Sequence, residues 1–187
     1  MTSILRNKDE LAKLGATERK TQARRADAGV IPIRICMGAS CIASGARRVE
    51  QTLAQQMEAQ GLEGKADICE VGCLGPCSGG PVVMVGDVFY ENVRPNDCTA
   101  IVRNHLGKGE VVDSLTHRRP DGRHVPNVAE IDFFRRQTKV VLGRCGQIDP
   151  QRIEHYIALS GYASLARVLE QADPESVLAE LRDSGLR

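Results

Sequence analysis

Three cysteines lie close together in the stretch Cys69-Glu-Val-Gly-Cys73-Leu-Gly-Pro-Cys77, each separated from the next by three residues. Cysteines grouped in this way bind metals or take part in redox chemistry. A disulfide uses two of them, whereas a tetrahedral metal or a diiron cluster uses four. The missing ligands must come from elsewhere in the chain. A second pair, in Cys36-Met-Gly-Ala-Ser-Cys41, lies upstream.

The residues favour a four-thiolate site that takes one pair from each stretch, namely Cys36, Cys41, Cys73 and Cys77. Cys69 is left out because it lies within Ala66-Asp-Ile-Cys-Glu-Val71, a strand-like sequence where a half-buried cysteine packs as a small apolar residue. Two loops with two cysteines each suit a 2Fe-2S cluster, which binds two cysteines on each iron. Cys98 and Cys145 are predicted to be inert structural thiols.

Zinc is the alternative, because four-cysteine zinc sites are common and space their cysteines by two to four residues. A plant-type ferredoxin is disfavoured, since its C-x4-C-x2-C pattern would require a cysteine where Ser44 stands. A dithiol oxidoreductase of the thioredoxin type is disfavoured as well, because the sequence has no C-x-x-C. From the residues alone, iron and zinc both remain open.

The elements predicted around these cysteines are those of a small α/β fold. Ile31–Cys36 is predicted to be a strand, and Val49, Leu53 and Met57 mark one face of a helix from about Ala46 to Gln60. Three further strands are predicted at residues 66–71, 81–85 and 88–93, and a second helix is predicted at residues 95–106. Gly86-Asp87 is the predicted turn of a hairpin.

The chain divides into four predicted segments, at residues 1–29, 30–116, 117–129 and 130–187. The first is a charged leader or docking arm with a short helix around Asp9 to Leu14. The second carries the cysteines, and the third is a linker rich in Arg, Pro and Gly. The fourth is a small, mainly helical part with one short strand at Lys139–Leu142. Its helices are predicted to begin at Asp149-Pro150, Ala163 and Asp173-Pro174.

Composition excludes several classes of function. The 187 residues carry a net charge of +1, and only 3% are aromatic. Stacking of single-stranded nucleic acid is therefore disfavoured. The sequence has neither an apolar run long enough for a membrane span nor a secretory signal, so we expect a cytoplasmic protein. Cysteines in that compartment are ligands more often than disulfides. The four histidines, which are scattered, are predicted to be solvated surface residues.

The sequence around the cysteines resembles the thioredoxin-like 2Fe-2S ferredoxin domain. The resemblance is carried by Ile35-Cys-Met-Gly-Ala-Ser-Cys-Ile-Ala-Ser-Gly45 and by Gly72-Cys-Leu-Gly-Pro-Cys with the later Gly80-Pro81. It covers residues 31–115 and implies a 2Fe-2S cluster. Its ligand pattern falls on Cys36, Cys41, Cys73 and Cys77. Such domains occur in the small iron-sulfur subunit of respiratory NADH dehydrogenase and at the start of flavin-binding subunits of NAD-linked hydrogenases and formate dehydrogenases.

The second half is similar to the opening of the NADH-oxidising, FMN-binding subunit of those enzymes. The similarity is carried by Phe133-Phe134, Val140-Val-Leu-Gly-Arg-Cys-Gly-Gln-Ile-Asp-Pro150 and Val177 to Arg187. The printed chain stops before the glycine-rich loop that cradles FMN and NADH in that family, and it lacks the four cysteines of the family's 4Fe-4S cluster. The chain alone is therefore not expected to oxidise NADH, whether it is a fragment, a split subunit or a truncated paralogue.

The resemblance implies one-electron transfer through a 2Fe-2S cluster in an NADH-dependent oxidoreductase complex. The expected partners are the flavin and iron-sulfur subunits of that complex, and neither nucleic acid nor direct membrane insertion is expected. The alternative function is a zinc-stabilised docking module of the same complex. A redox or iron sensor ranks below both, because no basic helix suited to binding DNA stands out.

Overall fold

A mixed four-stranded sheet forms the centre of the fold. In the computed structural model, which describes residues 4–171 and 173–186, its strands are β1 (Ile31–Cys36), β2 (Ala66–Val71), β3 (Val83–Val85) and β4 (Val88–Tyr90). The spatial order is β2-β1-β3-β4. β1 and β2 are parallel, with Cys36 opposite Val71, whereas β3 pairs antiparallel with both β1 and β4. The predicted α/β class is confirmed.

The strands form where β-branched and aromatic residues alternate with polar ones or fill a buried layer. Ile33 and Ile35 of β1 are fully buried, as are Phe89 and Tyr90 of β4. β3 and β4 are shorter than predicted, but the hairpin turn between them is at the predicted place. Gly86 there has a φ of 58°, a left-handed conformation that glycine adopts without steric cost.

Helix α3 (Ala46–Ala59) connects β1 to β2 and packs on the sheet. The predicted face is the buried one, since Val49 and Leu53 are 0% exposed and Met57 is 4% exposed. Parallel strands require a crossover connection of this kind. As a result, the carboxyl ends of β1 and β2 lie at the same edge of the sheet, and both cysteine-bearing loops begin there.

Two further helical stretches complete this layer. The short helix α2 (Ala39–Ala43) follows β1 and contains Cys41. The helix predicted to begin at Pro95 is one continuous run of three geometries. It starts as a 3-10 turn at Pro95–Asp97, continues as α4 (Cys98–Ala100) and ends as a π-helix at Ile101–Leu106.

Residues 117–129, predicted to be a linker, are folded against β4. β5 (His117–Arg118) pairs antiparallel with β6 (His124–Val125). Isolated bridges join Tyr90 to Thr116 and Val88 to Asn127, on either side of this hairpin. The connection therefore forms a separate two-stranded sheet that is attached to β4 by these two bridges.

Helix α1 (Lys8–Asp27) is much longer than the predicted helix at Asp9–Leu14. Asn7 caps its start, because the Asn7 side chain accepts a hydrogen bond from the Glu10 N–H at 2.9 Å. Gly15 is the one buried residue of the helix. A helix that buries so few residues has no apolar stripe in its sequence, so the predicted helix was too short.

Four helices follow the hairpin: α5 (Asp132–Arg135), α6 (Ile153–Ala158), α7 (Ala163–Gln171) and α8 (Pro174–Asp183). Asp173 caps α8 as predicted and accepts a hydrogen bond from the Ser176 N–H at 3.2 Å. α6 begins at Ile153, three residues after the predicted start signal. None of the helices in the described ranges is long and apolar enough to cross a membrane.

The predicted strand at Lys139–Leu142 is wrong. The segment is turn-like, and Val140 and Val141 are 84% and 93% exposed. β-branched residues form a strand only when a neighbouring strand accepts their backbone hydrogen bonds, and within the described residues this segment has none.

The chain separates into two compact units. One comprises residues 24–151 and contains the sheet and all seven cysteines. The other joins the N-terminal residues up to Ala23 with the residues from Arg152 onward. In this second unit, Arg19 donates a hydrogen bond to the Ala158 carbonyl at 2.9 Å, and His155 lies 3.3 Å from a Glu18 carboxylate oxygen.

Candidate metal centre

The four cysteines predicted as ligands lie in two loops at one edge of the sheet. Cys36 is the last residue of β1, and Cys41 lies in α2 immediately after it. Cys73 follows the end of β2, and Cys77 begins a 3-10 turn. The loops also contact each other directly, because the Ser40 hydroxyl donates to the Cys77 carbonyl at 3.3 Å.

The thiols of the two loops are close enough to influence one another electrostatically. Burial, more than any other cause, raises the pKa of Cys41 to about 11. The neighbouring thiols of Cys36 and Cys77 raise it further. The pKa of Cys73 is also raised, first by partial desolvation of its thiol, although the residue as a whole is exposed, and then by the charges of Cys36 and Cys77. In each loop, therefore, one thiol has its pKa raised by a thiol of the other loop.

Backbone N–H groups oppose these shifts at both thiols. The Val82 N–H hydrogen-bonds to Cys41 and lowers its pKa, and the Gly75 N–H does the same at Cys73. Such donors stabilise negative charge on sulfur. Four thiolates near one another repel, so the site favours a cationic centre that compensates them.

The backbone passes close to the sulfurs on both sides of the site. A methyl group at Gly38 would lie 3.5 Å from the Cys36 Sγ and 3.4 Å from the Cys73 Cβ. A methyl group at Gly80 would lie 3.0 Å from the Cys41 Sγ. These glycines leave the space next to the sulfurs free. Four thiols with two backbone donors and this open wall fit a 2Fe-2S cluster.

A single metal ion is a different case. Within residues 4–171 and 173–186, no three side chains of His, Cys, Asp or Glu surround one point where an ion could bind. A diiron cluster needs no such point, because it divides its four cysteines between two irons. A four-cysteine zinc site does need one.

Cys69 and Cys98, which were predicted to pack rather than to bind the cluster, both lie in packed positions. Cys69 is half-buried within β2, opposite Arg34 of β1, and packs against the apolar core. Cys98 is fully buried, and burial raises its pKa to about 12. Its thiol donates to the Val49 and Arg94 carbonyls at 3.7 Å in both cases.

Cys145 lies next to the site, which the sequence did not indicate. Its thiol donates to the Cys73 carbonyl at 3.2 Å. Cys145 lies 72 residues after Cys73 in the sequence, so spacing could not reveal the contact. The one available signal was its setting in Gly143-Arg-Cys-Gly146, a glycine-flanked loop like the two ligand loops.

The histidines are less exposed than predicted. His105 Nδ1 lies 2.8 Å from the Tyr90 hydroxyl, and burial lowers the pKa of His105. His117 Nδ1 lies 3.2 Å from a Glu91 carboxylate oxygen. The prediction of solvated surface histidines is therefore wrong for these two, and also for His155, whose side chain is 14% exposed beside Glu18. Their long-range partners leave no signal in the local sequence.

Comparisons with known proteins agree with the resemblance seen in the sequence. The sequence model of the thioredoxin-like [2Fe-2S] ferredoxin family matches residues 21–106. A 2Fe-2S ferredoxin from Clostridium pasteurianum is 32% identical over 77 residues, which are 40% of this chain and 76% of that ferredoxin. The NADP-reducing hydrogenase subunit HndA of Solidesulfovibrio fructosivorans is 32% identical over 81 residues, which are 41% of this chain and 47% of the subunit.

Among solved structures, the thioredoxin-like [2Fe-2S] ferredoxin from Aquifex aeolicus aligns with a TM-score of 0.44 and 30% identity. The alignment covers 46% of this chain and 94% of that one. Family membership does not depend on this structural alignment, because the Clostridium pasteurianum ferredoxin is matched over 76% of its length at 32% identity. The chain belongs to the thioredoxin-like [2Fe-2S] ferredoxin family. The zinc alternative finds no support, because the family and the related ferredoxin to which the chain is similar are of the 2Fe-2S type.

Proposed function

We propose that this chain carries single electrons through a 2Fe-2S cluster held by Cys36, Cys41, Cys73 and Cys77. It would do so as a module of a nicotinamide-linked oxidoreductase complex of the hydrogenase type. Family membership supports the cluster and the electron transfer. The similarity to a subunit of an NADP-reducing hydrogenase supports the type of complex.

The observation that carries the proposal is the meeting of two cysteine pairs at one sheet edge. The charges of Cys36 and Cys77 act on both Cys41 and Cys73, so all four thiols form one electrostatic group. None of the seven cysteines forms a disulfide. A reducing compartment such as the cytoplasm would keep these thiols available to iron.

When bound, a 2Fe-2S cluster supplies a one-electron couple. The residues of this chain would hold it and set its surroundings. Cys36 and Cys41, each 2% exposed, would anchor it on the side of the apolar core. The Val82 and Gly75 N–H groups would donate to Cys41 and Cys73 and stabilise added negative charge. Cys73 and Cys77 are exposed and would form the side nearest to a redox partner.

The direct test is anaerobic purification followed by assay of iron, acid-labile sulfide and zinc. We expect a red-brown protein with visible charge-transfer bands and a paramagnetic signal after reduction with dithionite. Cys36→Ser, Cys41→Ser, Cys73→Ser and Cys77→Ser should each abolish or strongly perturb these signals. A colourless protein that contains zinc in place of iron would overturn the proposal.

The place of this chain in a complex has its own test. We propose that residues 130–187, which are similar to the start of a flavin-binding subunit, contact a flavin-bearing partner. The purified chain should be reduced by dithionite but not by NADH or NADPH, because a nicotinamide gives up two electrons as a hydride whereas a 2Fe-2S cluster accepts one electron at a time. Adding a flavin-containing, NAD(P)H-oxidising subunit should restore reduction. Direct reduction of the isolated chain by NADH would contradict the proposal that a separate flavin-bearing partner oxidises the nicotinamide.

A further inference from the structure

A segment outside the region matched by the family model covers the second ligand loop. The family model ends at residue 106, whereas the covering segment comprises residues 131–151. Gln151 donates to a Glu70 carboxylate oxygen at 2.8 Å, just before the loop. Further along, Gly146 packs so tightly on Leu74 that a methyl group at Gly146 would lie 2.6 Å from Leu74 Cδ2. The segment therefore contacts the loop at successive positions.

Phe133 packs on the middle of the loop. A methyl group at Gly75 would lie 2.7 Å from Phe133 Cε1, so the ring rests directly on the Gly75 backbone. Phe133 is in turn supported by Phe134, whose ring contacts that of the fully buried Phe89. Both aromatic pairs are edge-on, with ring centroids 5.1 Å apart. This row of rings connects Gly75 to the apolar core.

Cys145 fixes the start of the same loop. Its thiol donates to the Cys73 carbonyl at 3.2 Å and lies where a methyl group at Gly72 would be only 2.9 Å away. Two residues therefore restrain the loop from outside, one at Cys73 and one at Gly75. Between these two restraints, the Gly75 peptide lies among the predicted ligands: its carbonyl accepts from the Cys77 thiol at 3.4 Å, and its N–H is on the side of the Cys73 thiol.

We propose that Phe133 and Cys145 are positioning residues that hold the Gly75 N–H on the Cys73 sulfur and thereby raise the reduction potential of the bound cluster. The inference rests on the proposed function, because it takes Cys73 as a cluster ligand. Reduction adds negative charge to the sulfurs, and hydrogen-bond donors to the sulfurs stabilise that charge. A loop that loses its outer restraints makes this hydrogen bond less of the time, so reduction becomes less favourable.

The cleanest test compares Cys145→Ala with Cys145→Ser in an EPR-monitored redox titration of the full chain. The alanine removes the donor to the Cys73 carbonyl, whereas the serine hydroxyl keeps one. We expect a more negative midpoint potential for Cys145→Ala and a value close to wild type for Cys145→Ser. Val141→Ala is the matched control in the same segment, because Val141 is 93% exposed. It should leave the potential unchanged.

Phe133→Ala tests the second restraint by amide hydrogen exchange. The Gly75 N–H should exchange faster in Phe133→Ala and in Cys145→Ala than in wild type or in Val141→Ala. Water that enters beside the truncated ring would itself favour the reduced state, so exchange is the decisive measurement for this variant. Unchanged exchange in both variants, or an unchanged potential in Cys145→Ala, would overturn the inference.

Failure of the proposed function is distinguishable from failure of this inference. If the wild-type chain takes up no iron and sulfide, the proposed function fails. The exchange measurement can still be made on the metal-free protein. Faster exchange at Gly75 in Phe133→Ala and Cys145→Ala would then support the positioning role, and equal rates would refute it.

Discussion

The two cysteine-bearing loops are built in opposite ways. The loop with Cys36 and Cys41 grows out of the central strand β1, and both thiols are 2% exposed. The loop with Cys73 and Cys77 follows the edge strand β2, and both cysteines are exposed. The core itself fixes the first pair. The second pair depends on outside contacts from Phe133 and Cys145.

This difference separates two requirements of an electron-transfer site. A cluster must be held firmly, which the buried Cys36 and Cys41 would achieve if they are ligands. It must also come near a partner, which the exposed Cys73 and Cys77 would allow. If the loops differ as described, substitutions in the first should damage both fold and site. Substitution of either cysteine of the second loop, Cys73 or Cys77, should damage the site alone.

The largest expected effect is the loss of the cluster in Cys41→Ser and in Cys77→Ser. The two loops are compared through the unfolding free energies of the metal-free variants. A serine hydroxyl buried at position 41 should cost about 1–3 kcal/mol of unfolding free energy, because the Val82 N–H can satisfy it as an acceptor but its own O–H is left in an apolar setting. At the exposed position 77, substitution should cost about 0.5 kcal/mol or less. Urea unfolding of both variants in the absence of iron measures this, and equal losses would erase the distinction between the loops.

A second large effect is expected in thiol alkylation of the metal-free chain. With a pKa of about 11, Cys41 is a thiolate on the order of one time in a thousand at pH 8. Burial slows its reaction further, so Cys77 should react with iodoacetamide at least about a hundredfold faster. Mass spectrometry of time points would show the order of labelling.

Cys98 provides the control for this experiment. Its pKa is about 12, it is fully buried, and it lies outside both loops, so it should be labelled at least as slowly as Cys41. Because both pKa values lie above the working range, the rates at Cys41 and Cys98 should rise about tenfold for each pH unit between 8 and 10. Labelling of Cys41 as early as Cys77 would contradict the buried character of the first loop.

A moderate effect is expected for Gly75→Ala in the second loop. Gly75 has a φ of 124°, which an alanine adopts only with strain, and the added methyl group meets Phe133. We expect a loss of about 1–3 kcal/mol in unfolding free energy together with faster cluster loss to a chelator. Gly75→Ala combined with Phe133→Ala should lose less than the sum of the single changes, because the second removes the clash of the first. Additive losses would show that Phe133 does not rest on the loop.

The smallest effect is expected for Cys69→Ser. Cys69 lies within β2 at the base of the second loop and packs against the core. Its replacement should leave the visible and EPR spectra nearly unchanged and lower stability by about 1 kcal/mol. Loss of the cluster in Cys69→Ser together with its survival in Cys77→Ser would assign the loop's ligands differently.

Much of the first loop's setting could be predicted from the sequence, because short-range patterns determine it. The alternation in Ile31–Cys36 and the four-residue spacing of Val49, Leu53 and Met57 are local signals, and both elements formed as predicted. The convergence of the cysteine pairs follows from them, since a strand-helix-strand crossover brings both strand ends to one edge. The ligand assignment to Cys36, Cys41, Cys73 and Cys77 stays a prediction.

The second loop's setting could not be predicted in the same way. Phe133 and Cys145 reach it from far along the chain, through contacts that leave no periodic trace in the sequence. The strand predicted at Lys139–Leu142 failed for a related reason, because β propensity cannot show whether a neighbouring strand exists. The length of α1 was missed although Asn7 and Glu10 form a capping signal, because the helix has almost no buried face.

The crossover from β1 to β2 also bears on how the site forms when the chain folds. Cys36 and Cys41 become neighbours of Cys73 and Cys77 through the pairing of the two parallel strands that α3 connects. Contacts between residues so far apart in sequence require the entropy of closing a long loop to be overcome first. We therefore expect that during synthesis the emerging chain presents iron with a single cysteine pair. Maturation would then begin only once the ribosome has released the whole of β2 and the loop that follows it.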